Sequence, residues 1–403
     1  MRVRLLALLF AALPLAAQPI PTDRWRADLS FLATELPARH IKPFARISKA
    51  EFESQVQSLD TRIPRLSELQ IRAEILRLVA SIGDGHTRVQ SQGRADAFHA
   101  LPLGLYWFKD GIYVVSASEE YSRLIGGRLA GIGSKSAEEA CRAMTPLVPH
   151  ENDAELRLDL PGRLVTPELL YAVGITDSPE SARVSVTAAD GTPIAEDVRL
   201  LPDSPPRKMV SAFKGETPLY RKNASLSYWF TGIDNGATVY FQYNRCVSDA
   251  KQPFPDFRAQ LKQALSDNRV QRLVVDMRYN GGGNSAILDP WIAEIAASRF
   301  NARGKLFVII GRNTFSSAIL NALRFRNTTK ATLVGEPTAG KPNHFGEVRN
   351  FDLPNSHITV SYSTKYFRDS KEDTDSLMPD VLAELTFRDY LAGADPALNA
   401  IPR

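Results

Sequence analysis

The chain has 403 residues, room for two to four domains. Hydrophobic residues make up 44% and charged residues 23%, an ordinary globular mixture that excludes a disordered or collagen-like chain. Lys plus Arg number 49 against 45 Asp plus Glu, so the net +4 gives no electrostatic ground for nucleic acid, and two Cys exclude a disulfide scaffold or a cysteine-rich zinc module.

Arg2 and Arg4 precede an apolar run over residues 5–15, and Ala16 and Ala17 lead to Gln18. This order predicts a cleaved secretory signal over residues 1–17, too short to span a bilayer. It places the mature chain outside the cytoplasm, in the periplasm or beyond the cell. No later stretch is apolar for long enough to remain in a membrane.

Residues 20–95 predict an N-terminal helical bundle. Trp25, Leu29, Leu32 and Leu36 recur at helical spacing, and Pro37 is expected to close the run. Ser48 with Glu51 and Ser67 with Gln70 are two candidate capping boxes. Ile71, Ile75, Leu78 and Ile82 continue the second of these helices to Gly83, a helix end.

Residues 100–202 predict a β-rich module. Segments 105–108 and 112–115 flank Lys109, Asp110 and Gly111, a hairpin signal. Segments 182–188 and 198–200 flank Asp190 and Gly191, another one. A helix is expected from near Ser136. The glycine-turned stretch Gly126, Gly127, Arg128, Leu129, Ala130, Gly131, Ile132, Gly133 resembles a PDZ domain. Proline and polar residues at 202–206 mark a linker.

From residue 224 to 403 strand and helix signals alternate. Segments 273–276, 306–310 and 332–334 are short apolar runs, as buried strands require. Helical stripes at Phe257, Leu261 and Leu265, at Leu288, Trp291 and Ile295, and at Ile319 and Leu323 separate them. The expected fold is α+β and multidomain: helical bundle, PDZ-like module, and an α/β core with a largely parallel sheet.

Ligands collect at the carboxyl ends of strands in open α/β sheets. Asp276 is followed by Arg278, Asn280 and three glycines, Gly281, Gly282 and Gly283. Their exposed N–H groups suit an oxyanion or simply a tight turn. Ser316 and Ser317 follow the 306–310 strand, where a serine either caps the next helix or acts as a nucleophile.

These two segments, with Thr314 and Ala318 around Ser316, then Gly335 to Lys341, then Pro379 and Asp380, resemble the tail-specific (C-terminal processing) and tricorn-type serine peptidases. The resemblance implies an exported serine endopeptidase that cleaves protein substrates near their C-termini through an acyl-enzyme. It makes Ser316 the nucleophile and the N–H groups of Ser317 and Gly282 the oxyanion donors. It offers two bases. Lys341 stands 25 residues after Ser316, as in the tail-specific branch, but Pro342 and Phe345 replace that branch's Gly and Gln. His86, in the segment Asp84, Gly85, His86, resembles the tricorn-type base, with Glu372 as its orienting carboxylate beside Asp373. The missing Gln tilts the choice toward His86 and Glu372. His40, His99, His150 and His357 are expected in surface or capping roles. No metal ligand set, cofactor or nucleic-acid partner is expected; protein or peptide substrates are. The alternative is a non-catalytic protein of the same fold that binds a peptide or apolar ligand.

Overall fold

The computed structural model describes residues 19–90, 98–202 and 208–402. The expected signal over 1–17 and most of the linker at 202–206 lie outside the described residues.

Three helices come first: Thr22–Arg39, Lys49–Arg62 and Glu68–Ala80. The second and third begin in the expected boxes. Ser48 accepts the Glu51 N–H while Glu51 accepts the Ser48 N–H, and Ser67 and Gln70 repeat the exchange. The first helix runs through Pro37 and ends at Arg39. Proline removes a single donor there, and the His40 N–H still reaches the Leu36 carbonyl at 3.0 Å, so the last turn closes despite the ring. The buried faces of these helices share one core with Phe351, Leu353, Ile358, Val360 and Tyr362. Those residues belong to and adjoin a long hairpin, Asn343–Asp352 paired antiparallel with Thr359–Arg368. The short strand Arg88–Val89 adds to this hairpin. The chain leaving the third helix is thereby tied down just after His86.

The middle of the chain forms an antiparallel sheet in the order Leu103–Phe108, Gly111–Ser118, Arg128–Ile132, Ser181–Thr187, Pro193–Arg199. Lys109 and Asp110 make the first hairpin turn, with Phe108 opposite Gly111. A helix capped by Ser136, Ala137–Met144, packs on this sheet. Two further helices, Asp153–Arg163 and Pro167–Ala172, fill the interval before Ser181.

The last part holds a six-stranded sheet. Its order is Val381–Leu382, Thr332–Gly335, Leu306–Ile310, Arg272–Asp276, Thr238–Tyr243, Tyr228–Ile233. All pairings are parallel except that of the last two strands, which is antiparallel. Helices Phe254–Leu265, Asp289–Ala296 and Ser317–Thr328 bury Phe257, Leu261, Trp291, Ile292, Ala322 and Leu323 against one face. Ala397 and Ile401 help cover the other. The loops after Asp276, Ile310 and Gly335 open on a common edge, the carboxyl edge that parallel strands present to ligands. Among the described residues no helix is long and apolar enough to cross a membrane.

Candidate active site

The loop after Asp276 is held from within. Asn280 is fully buried; its side chain donates to the Tyr243 carbonyl at 2.9 Å and accepts the Gly282 N–H at 3.0 Å. The loop after Ile310 docks onto it. Thr314 Oγ1 donates to the Met277 carbonyl at 2.9 Å, and the Phe315 N–H donates to the Asn280 carbonyl at 3.0 Å. Ser317 Oγ donates to the Gly283 carbonyl at 2.6 Å. These bonds explain why a buried Thr and Asn belong to the same two motifs.

Ser316 stands at the junction. It precedes the helix Ser317–Thr328 with φ of 53° and ψ of −127°. Non-glycine residues seldom adopt positive φ, and such strain concentrates where a side chain must be presented. The turn aims Ser316 at the positive end of a twelve-residue helix. Gly282, at φ +106°, approaches so closely that a Cβ there would lie 2.8 Å from Ser316 Cβ and 3.2 Å from the Ser317 nitrogen. The structure therefore brings Ser316, Ser317 and Gly282 together. The Gly282 N–H donates to Asn280 here.

His86 reaches the same place from the helical segment. Its ring stacks on Phe315, the residue before Ser316, at 4.4 Å between centroids, and lies 5.9 Å from His344. Among the described residues neither ring nitrogen has a hydrogen-bond partner. Nδ1 lies 3.8 Å from Asp84 Oδ1, which also accepts the His86 backbone N–H at 2.9 Å. Asp84 Oδ2 accepts from His40 Nε2 at 3.0 Å, Thr87 Oγ1 at 2.5 Å and Ser363 Oγ at 2.6 Å. Burial opposes the Asp84 charge, but the bond from His40, the nearby His86 ring and the bond from Ser363 outweigh it and hold the carboxyl well below its usual range. His40 is therefore a buried support rather than a surface or capping residue. Its Nδ1 accepts the Lys42 N–H, which leaves Nε2–H to donate to Asp84.

Glu151 completes the cluster, a residue that sequence reasoning did not single out. One donor atom from each of Asp84, His86 and Glu151 lies within 4.8 Å of the others. Glu151 Oε2 accepts the Lys341 backbone N–H at 3.1 Å, while Oε1 is buried without a partner. Burial first, and the Asp84 charge second, push its pKa up to about 7. Gly85 is small for a reason: a Cβ there would lie 2.2 Å from Glu155 Oε1. Burial drives the Glu155 pKa well above its usual range, with the Glu151 charge adding to it. His344 is buried as well, its Nδ1 3.1 Å from the Lys341 carbonyl. Burial, then the neighbouring His86, lower its pKa to about 4. Glu151, Lys341 and His344 line one open cleft.

The remaining candidates, Lys341 and Glu372, are held by other partners. Lys341 Nζ pairs with Asp375 at 3.1 Å and Asp373 at 3.8 Å. Glu372 is exposed, and the contacts it makes run through its backbone: its carbonyl accepts from Asn343 at 3.4 Å and its N–H donates to Ser370. Asp84 and Glu151 are the carboxylates that cluster with His86. Asp84 stands in the same short segment as His86; Glu151 lies 65 residues after His86 with no local motif to mark it.

No family model and no curated protein matches the chain. Solved structures do. Mature CPAF complexed with lactacystin matches at TM-score 0.64 and 13% identity, over 92% of this chain and 96% of that one. Mature CPAF alone matches at 0.62 and 14%, over 92% and 94%. The photosystem II D1 C-terminal processing protease aligns over 93% and 98% at 15% identity, with a TM-score of 0.42 that carries no argument. Nearly the whole described chain, with its helices, antiparallel module and mixed sheet, thus has the fold of the CPAF structures.

Proposed function

We propose that the chain is a serine endopeptidase. The observation that carries this reading is Ser316 at φ 53° on a helix N-terminus, with the glycine loop pressed against its Cβ. In this reading His86 accepts the Ser316 hydroxyl proton as Oγ bonds to the substrate carbonyl carbon. The proton then passes to the departing amine as the C–N bond breaks. Water, deprotonated by the same imidazole, releases the acyl group. The Ser317 N–H and the helix dipole stabilise the oxyanion. Gly282 contributes its N–H by exchanging Asn280 for the oxyanion.

His86 is preferred to Lys341 as base because its ring packs on Phe315 while the Lys341 ammonium is paired with Asp373 and Asp375. Asp84 is the group that orients His86, and Glu372 has no part in this arrangement. The module over 100–202 is read as PDZ-like, presenting the C-terminal tail of a protein substrate. A hydrogen bond from Arg312, four residues before Ser316, to the Trp107 carbonyl supports coupling between module and site. The enzyme acts outside the cytoplasm, as the basic and apolar residues over 2–17 suggest.

The test is cleavage of an unfolded protein substrate by wild type and Ser316→Ala. Loss of cleavage in a folded Ser316→Ala protein is expected. Full activity in that variant refutes the peptidase reading and leaves a peptide binder.

A further inference from the structure

One ligand atom each from Asp84, His86 and Glu151 lies within 4.8 Å of the others. Asp84 Oδ1 accepts the His86 backbone N–H and lies 3.8 Å from the ring Nδ1, while Oδ2 is engaged with three donors. Both His86 ring nitrogens and Glu151 Oε1 are buried and have no hydrogen-bond partner among the described residues. Glu151 as a whole is only 6% exposed. Orphaned buried polar atoms are costly, and an unmodified pocket rarely gathers three of them from one imidazole and one carboxylate.

We propose that Asp84, His86 and Glu151 bind one Zn²⁺ ion, which takes His86 out of the reaction. The inhibitory consequence rests on the peptidase reading; the binding itself does not.

The donor set fits the metal. Imidazole with few oxygens suits zinc, whereas calcium requires six to eight oxygens. Two carboxylates and a neutral imidazole cancel the two charges of the ion, so the buried site carries no net charge. Zinc bonds of about 2 Å put tetrahedral donors roughly 3.3 Å apart. The atoms here lie within 4.8 Å, so the side chains close by on the order of 1 Å around the ion. The supporting shell is already present. His40, Thr87 and Ser363 fix the outer oxygen of Asp84, and the Lys341 N–H fixes that of Glu151. The cleft lined by Glu151 and His344 borders the site, and water or a substrate atom would take the fourth position. With its lone pair on zinc, the imidazole has no site for the Ser316 proton.

The experiment titrates ZnCl₂ into the full chain by isothermal calorimetry, with Glu151→Gln and His86→Ala beside wild type. One ion per chain is expected, with affinity at least tenfold weaker in each variant. Co²⁺ added to wild type should give the visible bands of a tetrahedral site, a readout that needs no variant. In the cleavage assay zinc should inhibit, a chelator should restore the rate, and Glu151→Gln should need at least tenfold more zinc for half-inhibition relative to its own zinc-free rate. A protein that never cleaves yet binds one zinc through these residues upholds the site and sinks the peptidase reading instead. Absent binding, binding undiminished in both variants, or an octahedral Co²⁺ spectrum overturns the proposal.

Discussion

Gly282 is the most informative single position in the site. Replacing it with Ala keeps the N–H group, so any effect arises from the added methyl and the backbone alone. Its φ of +106° lies where L-residues are strained by about 1–3 kcal/mol. The methyl would also sit 2.8 Å from Ser316 Cβ and 3.1 Å from the Phe315 carbonyl. Ordinary carbon contacts lie at about 3.5–4.0 Å, so Ser316 must retreat by on the order of 1 Å. A misplacement of that size costs roughly 10²-fold in rate. We therefore expect Gly282→Ala to lose about 10²-fold or more in kcat/KM, with a melting temperature lower by several degrees. Gly281 is the control. A Cβ there meets nothing within 4 Å, and its φ is not in the left-handed region. Gly281→Ala should fold and cleave like wild type. The assay is kcat/KM on an unfolded protein substrate, with thermal melts of all three proteins. Wild-type activity in Gly282→Ala, or equal losses at both glycines, would refute the claim that close approach of this loop to Ser316 matters.

Three further outcomes follow from the same geometry. His86→Ala should lower kcat/KM by about 10²–10⁴-fold while Lys341→Ala stays much closer to wild type; the reverse order, read in the same cleavage assay, would make Lys341 the base. His344 binds protons more weakly in the fold, at about 4 against 6.5, so its contribution is intact above pH 6.5 and about 3 kcal/mol of stability is lost as pH falls from 6.5 toward 4. Denaturant unfolding across that window should show a shallower pH slope for His344→Phe, and an unchanged slope would count against a neutral buried imidazole. Arg278 grips Asp395 through two bonds of 2.8 and 3.0 Å and also binds Asp276; Asp395→Asn should cost up to about 3–5 kcal/mol, read by unfolding and by faster amide exchange over residues 387–402. Exchange confined to other regions would show that this latch does not hold the C-terminal helices.

Features that close within a few residues could be read without the fold. The boxes at Ser48 and Ser67 are exchanges between residues three apart, and the helix that Ser136 caps begins in the same way. Gly83, at φ +72°, ends the third helical stretch because only the missing Cβ makes that turn cheap. The apolar run at 306–310 is a strand buried along its whole length, and composition alone required both faces to be covered. Ser316 and the three glycines were visible because strand, turn and helix follow one another directly. Other features depend on pairs far apart in the chain. The strand Asn343–Asp352 carries few apolar residues in its second half and has no alternation to mark it; its partner Thr359–Arg368 and the N-terminal helices define it. Pro37 by itself predicts a stop, yet packing of Leu36 into that shared core carries the helix past it. Glu151 and His40 approach His86 only because the middle helices and the first helix converge on the same hairpin edge. Lys341 has the spacing of a base, but spacing along a chain says nothing of which carboxylates stand near its ammonium. Local hydrogen bonds and periodicity are encoded by neighbours, whereas the charge and solvation of a buried group are set by whatever the fold places against it, and that is decided in three dimensions.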